Sequence, residues 1–219
     1  MQTGRWVALV LAASVPLALA FADPAGADGP NTGGAFGVQV TVLGQTVVPP
    51  TPVVSFPPGG QRSLVNVSQA GVSAGVLTVS SNGDNSGSVA SSAQTLGASN
   101  TTAVPVAASA LTSACSSSPS GTSGTASVVN GTTPAGPLAV NPPPNTSVPL
   151  LVGSLTVNEQ QPAPNGIRVR TVHASTPVAG VVIAESDCGV GIVGAVGLVG
   201  AATATAARAT TSTNPTLTG

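Results

Sequence analysis

Leu155–Cys188 reads LTVNEQQPAPNGIRVRTVHASTPVAGVVIAESDC and decides the fold. Three runs rich in β-branched residues, Leu155–Gln161, Ile167–Ser175 and Gly180–Ser186, are separated by two turns built from Pro, Gly and small polar residues. Such runs between such turns predict a meander of antiparallel strands. The stretch also gathers most of the chain's chemistry. It holds the only histidine, His173, and one of two cysteines, Cys188. Of eleven charged residues in all (five basic, six acidic), it holds five: Glu159, Arg168, Arg170, Glu185 and Asp187.

The rest of the 219 residues is Ala, Gly, Ser, Thr, Val and Pro in the main. Charged residues make up 5% and aromatics 2%, with no tyrosine and no lysine. The net charge of −1 gives no electrostatic case for nucleic acid, which requires a basic surface. Disordered chains combine low hydrophobicity with high charge; this one is 42% hydrophobic and nearly uncharged. Its apolar side chains are small, and each buried CH2 contributes only about 0.8 kcal/mol. A Val/Ala core therefore gains from a covalent cross-link.

Met1–Ala27 has the layout of a secretory signal peptide: Arg5, an apolar run over Trp6–Ala20, and small-residue cleavage patterns ending at Ala22 and at Ala27. Residues 28–34 then form a short linker. From Ala35, Phe36, Val38, Val40 and Val42 alternate with Gly37, Gln39 and Thr41, the period of a half-buried strand. Val47–Val48 and Val53–Phe56 are short extended pieces bounded by prolines, which confine them to strand ends or a sheet edge. Ala74–Ser80 and Gly87–Thr95 flank an Asn82–Gly83 turn and predict a hairpin. Val104–Ser116 is a further strand; its alanines also permit a helix, but its Ser, Thr and Val and the neighbouring strands favour β. Pro137–Pro149 reads as an extended linker, and residues 191–219 as a Gly/Ala/Thr-rich tail or weak anchor.

Several blocks in order resemble the choice-of-anchor P proteins, secreted and mostly actinobacterial. The matching pieces are AFGVQV at Ala35–Val40, PTPVVSFPPGG at Pro50–Gly60, VSAGVLTVSS at Val72–Ser81 and LTSACSSSPSGTSGTASVVN at Leu111–Asn130. AVNPPPNTSVPL at Ala139–Leu150, LTVNEQQPAPNGIRV at Leu155–Val169 and VVIAESDCGV at Val181–Val190 complete the run. The resemblance implies export, a cell-surface setting and an all-β domain, and it implies no catalytic residues. Anchored members end in a sorting signal, a hydrophobic span and basic residues. Asn214–Gly219 matches a sortase motif only with a residue too many and with no span after it.

Two cysteines in an exported chain read as one disulfide, Cys115–Cys188. Free thiols or a redox pair are the alternatives, and the Cys-x-x-Cys spacing of a redox site is absent. The bond closes a loop of about 74 residues, for which chain entropy suggests roughly 4.5 kcal/mol. Glu159, Arg168, Arg170, His173, Glu185 and Asp187 form a candidate interaction patch. Their simplest reading is cross-strand surface pairing, at about 0.2–1 kcal/mol per pair. Acid–base work requires matched groups at a pocket, and glycoside hydrolysis requires paired carboxylates. Zinc requires three or four ligands, and His173 has no second histidine. Asn82–Ser86 has oxygens for calcium but a single carboxylate, and its residues are those a turn demands. Gly189–Ala207 is nineteen residues without charge, near the length of a membrane span, but five glycines weaken it as a helix.

The expectation is an all-β, mostly antiparallel, sandwich-like domain over residues 35–190, with no catalytic, cofactor-binding or metal-binding residues. Its function reads as non-enzymatic: a secreted or cell-surface structural or interaction protein. The alternative is a binding module for cell-wall or extracellular polysaccharide. Partners in either case are cell-envelope or extracellular polymers or proteins, not nucleic acid, with membrane contact only if 189–207 is an anchor.

Overall fold

Val, Thr and Ser at close spacing leave the backbone extended, because β-branched side chains are stiff at χ1 and pack well on a pleated surface. The computed structural model describes residues 32–84, 87–150, 152–163 and 166–189. Within them the chain forms thirteen strands. They are β1 (Gly33–Val42), β2 (Gln45–Phe56), β3 (Gly60–Gln69), β4 (Val72–Gly83), β5 (Val89–Asn100), β6 (Val106–Ser118) and β7 (Gly121–Val129), then the two-residue β8 (Thr132–Thr133) and β9 (Gly136–Pro137), β10 (Thr146–Val148), β11 (Ser154–Ala163), β12 (Gly166–Ser175) and β13 (Ala179–Cys188). Residues 1–31 and 190–219 lie outside the described residues. So do the signal peptide, all but the first residue of Gly189–Ala207, and the sortase-like ending.

All strand pairs are antiparallel, and they form two sheets. The first runs β10-β11-β12-β13-β1-β2; the second runs β3-β4-β5-β6-β8-β9, with β7 also paired to β6. The sheets face one another. β1 packs on β4 and β5, β13 on β5 and β6, and β12 on β6 and β7, which makes a sandwich. The predicted meander is β11-β12-β13, and the predicted Asn82–Gly83 hairpin is β4-β5. The segment expected at Val104–Ser116 is strand rather than helix, and it runs over Val106–Ser118.

Three expectations are corrected. The proline-bounded pieces at 47–56 are one twelve-residue strand, β2, at a sheet edge as expected. Its register against β1 shifts opposite Pro49 and Pro50, a bulge that absorbs residues unable to donate to a ladder. Residues 137–149 are not only a linker, because their ends pair in β9 and β10. β1 begins at Gly33, inside the segment read as linker.

One further feature sets where the charged residues go. In β13, Val181 and Ile183 face the core, and strict alternation would send Glu185 and Asp187 there too. The side-chain phase instead reverses at Ala184, whose φ is +54°. The same reversal runs across the sheet through Asn158 (φ +52°), Thr171 and Gly37, which occupy one row of the register. A side chain at Gly37 would come within 2.7 Å of Leu77 Cδ2, so this crossing requires glycine. The second sheet has a matching row at Asn66, Gly75, Gly97, Ser109 and Asn130, with positive φ at Asn66, Gly97 and Asn130. Val72 and Ala74 face inward before it, Leu77 and Val79 after it. Asn and Gly are the residues that tolerate the left-handed region.

The core divides accordingly. The larger cluster contains Val38, Val40, Leu77, Leu111, Val128, Leu155, Val157, Val172 and Ile183. The smaller holds Val89, Ala126, Ile167, Val169 and the two cysteines. Cys115 in β6 and Cys188 in β13 are bonded, with Cα atoms 5.9 Å apart, so the predicted disulfide is an inter-sheet tie.

Candidate functional site

All six residues singled out in the sequence come together on the outer face of the first sheet. Glu159 stands opposite Arg170, and Arg170 opposite Glu185. One row along, Gln161, Arg168 and Asp187 stand in line. Directly facing strand positions carry their side chains to the same side. The phase reversal at Thr171 also brings His173 back to this face, next to Glu159.

The side chains form a continuous array. Arg168 Nε donates to Asp187 Oδ1 at 2.7 Å and lies 3.3 Å from Glu185 Oε1. Arg170 Nε donates to Glu185 Oε2, and its Nη1 donates to Glu159 Oε2 at 3.2 Å. His173 Nδ1 is 2.7 Å from the same Glu159 oxygen. Gln161 Nε2 donates to Glu159 Oε1 at 2.7 Å. Acidic and basic side chains alternate from Asp187 to His173.

These are not the exposed pairs the sequence suggested. The side chains of Glu185 and Asp187 are 3% and 0% accessible, and those of Arg168 and Arg170 only 12% and 17%. Buried ions repay their desolvation only through close partners. Burial alone would raise the Glu159 carboxyl, but His173 and Arg170 outweigh it and hold Glu159 down at about 2. Burial opposes the charge on Arg170, yet Glu185 and Glu159 raise its pKa. Asp187 goes the other way: burial and the neighbouring Glu185 charge push its carboxyl up against the pull of Arg168. Its second oxygen, Oδ2, is buried without a hydrogen-bond partner.

Two members of the face were not readable as such. Phe36, 1% exposed, lies directly across from Glu185, and its alternation with Val38 and Val40 had placed it in the core stripe. Gln161 had no signal beyond its position before the turn. Every carboxylate in the array has a cation or amide on at least one oxygen, while Asp187 Oδ2 is left without a hydrogen-bond partner. Among the described residues no group of three or more His, Cys, Asp or Glu is placed to hold a metal ion. Asp84, the one carboxylate of the Asn82–Ser86 turn, accepts from Ser88 N at 3.1 Å, as a turn residue does. An apolar cleft of about 290 Å³, lined by Val104, Pro105, Pro134, Pro149 and Leu150 among others, shares no residue with the array.

No family model, curated protein or solved structure matches this chain. The fold and the array therefore stand on their own geometry.

Proposed function

We propose that this is a non-enzymatic, exported protein with a structural or interaction role at or outside the cell surface. The observation that carries the reading is the array itself. The chain's main concentration of titratable groups is spent on mutual ion pairs that tie β11, β12 and β13 together. General acid–base chemistry requires a group within reach of a substrate proton, and buried carboxylates held by arginines are poorly placed for that. The inter-sheet disulfide supports export, because such bonds persist in oxidising compartments. The resemblance to choice-of-anchor P proteins points the same way. Against a saccharide site, the two aromatic residues of the described chain are Phe36, buried, and Phe56, half-buried, so neither offers an open ring for stacking.

The test is fractionation of producing cells with intact-mass analysis before and after reduction. The expected result is a chain cut near Ala22 or Ala27, outside the cytoplasm, with both thiols unreactive until reduced. Recovery from the cytoplasm with two free thiols would overturn export. Turnover of an ester, peptide or glycoside substrate that disappears with Glu185→Ala or His173→Ala would overturn the non-enzymatic reading.

A further inference from the structure

We infer that residues 190–199 turn back at Gly189 and lie across the outer face of the first sheet, over β13 and the first half of β1. The inference goes beyond the proposed function, and its choice of segment rests on the export proposed there.

A sheet with one face on a core and one in water alternates between buried and open positions. The second sheet does so: Gln94, Leu96 and Ser116 point away from the core and are exposed. β13 does not. It is buried at every position but Gly180, and β1 is buried from Gly33 to Val38. Phe36 and Val182 both point outward, opposite Glu185 and Gln39. They are 1% and 9% exposed, yet neither belongs to a core cluster. A phenylalanine on an open sheet face would keep one side of its ring in water. The strands of the second sheet that β1 and β13 meet, β4, β5 and β6, lie on the inner side. The outer face is therefore covered by something beyond the described residues.

The cover thins with distance from one corner. Along β13 the outward positions are closed at Asp187 and Glu185, slightly open at Val182 and half-buried at Gly180. Along β1 they are closed at Gly34 and Phe36 and half-buried at Gln39 and Thr41. The closed corner is where the described chain begins and ends, since Gly33 pairs with Cys188 and Gly189 N donates to Thr32 O at 2.6 Å. Gly189 has φ +79°, which lets the backbone leave the strand direction there.

Two flanking segments start at this corner, and they are unequal. Export removes residues 1–27 and leaves 28–31, which span about 14 Å at most and carry Asp28, a charge disfavoured beside Glu185 and Asp187. Gln39, opposite Val182, lies about 20 Å along β1 from Gly33, beyond that reach. Residues 190–199 carry no charge and include Val190, Ile192, Val193, Val196, Leu198 and Val199. The return from Gly189 to Val182 is about 23 Å, within the reach of those residues. An apolar, uncharged segment suits both parts of the face. It buries Phe36 and Val182, and it keeps water from the array without adding a charge that would need a partner of its own.

NMR of the labelled full chain tests this, with hydroxyl-radical footprinting read by mass spectrometry. The expected result is a set of NOEs from the Phe36 ring to methyl groups of residues 190–199, unchanged on dilution, with Phe36 oxidised more slowly than half-buried Phe56. In the full chain, Val196→Asp/Leu198→Asp should abolish those NOEs and bring Phe36 oxidation up to that of Phe56. Leu217→Asp, beyond the covering segment, should change neither. NOEs from Phe36 to other segments, protection of Phe36 that fades on dilution, or protection that survives Val196→Asp/Leu198→Asp overturns the inference. The wild-type NOEs decide the matter if the double variant fails to fold. Intact mass separates the two readings: a chain that keeps residues 1–27 counts against export, whereas a cut chain without these NOEs counts against the cover alone.

Discussion

Asp187 is the residue whose burial is least compensated. One of its oxygens is held by Arg168 and the other by nothing. Its carboxyl rises from an ordinary 3.8 to about 8, through burial first and then the adjacent Glu185 charge. A pKa higher in the folded state means that the folded state binds the proton more tightly. The stabilisation is complete below about 3.8 and is lost progressively as pH rises to about 8. Glu159 has the opposite sign: held down from 4.5 to about 2, it stabilises above 4.5 and loses that contribution as pH falls toward 2. Urea midpoints of the wild type should therefore decline from pH 5 to pH 8. Asp187→Asn should flatten that decline, and Glu159→Gln should flatten only the acid limb. An unchanged slope in Asp187→Asn would refute the assignment. A second residue-scale prediction concerns Ser113, whose hydroxyl is fully buried without a partner between the sheets. An unsatisfied buried hydroxyl costs about 1–3 kcal/mol, so Ser113→Ala should stabilise the fold by about 1 kcal/mol in denaturant melts.

At the scale of the element, the rows of reversed phase explain both what the sequence could show and what it hid. The hairpins β11-β12 and β4-β5 were legible because turn residues stand between runs of β-branched residues, and a short turn fixes register. A hairpin there puts Glu159 near Arg168 and Arg170, and hence the array was legible as a set, though the particular pairing of Glu159 with Arg170 was not. Nor was the array's burial, because period-two reading assumes one phase per strand. Ala184 looks like an ordinary strand residue in sequence, and an isolated Asn such as Asn158 tolerates positive φ without by itself marking a phase reversal. β3 escaped notice for the converse reason. Its side chains are exposed on both faces, so no alternation was imposed on Gly60–Gln69. The row itself is testable at Asn158, where the side chain also donates from Nδ2 to Pro142 O at 2.8 Å. Asn158→Ala removes a buried hydrogen bond and puts a Cβ-bearing residue less tolerant of that region at φ +52°. A loss of about 1–3 kcal/mol is expected, whereas Asn158→Asp should keep more of the backbone preference. Equal stability of wild type and Asn158→Ala in chemical denaturation would mean that the row is not held from this point.

Across the whole molecule, two sheets of small side chains must be kept together with little hydrophobic surface per residue. Leucines are few in the core, and Phe36 sits on the outer face rather than between the sheets. The tie between Cys115 and Cys188 spans the layers where the core is smallest, among Val89, Ala126, Ile167 and Val169. It also joins strands 73 residues apart in sequence. The chain closes on itself at the same place: Gly33 pairs with Cys188, and Gly189 N donates to Thr32 O at 2.6 Å. There is no room to spare at this corner, since a Cβ on Gly166 would lie 1.9 Å from the Cys188 carbonyl oxygen. Opening the disulfide frees the unfolded chain over that long loop, worth about 4.5 kcal/mol in the chain-entropy model. A domain of this size has about 5–15 kcal/mol of stability in total. Cys115→Ser/Cys188→Ser should therefore lose about 2–5 kcal/mol, with a single cooperative transition retained, because both sheets contribute to the larger cluster. Separate transitions for the two sheets would show that the bond, not the larger cluster, makes the sandwich one unit. A double variant as stable as the oxidised wild type would show that the small-residue core needs no tie.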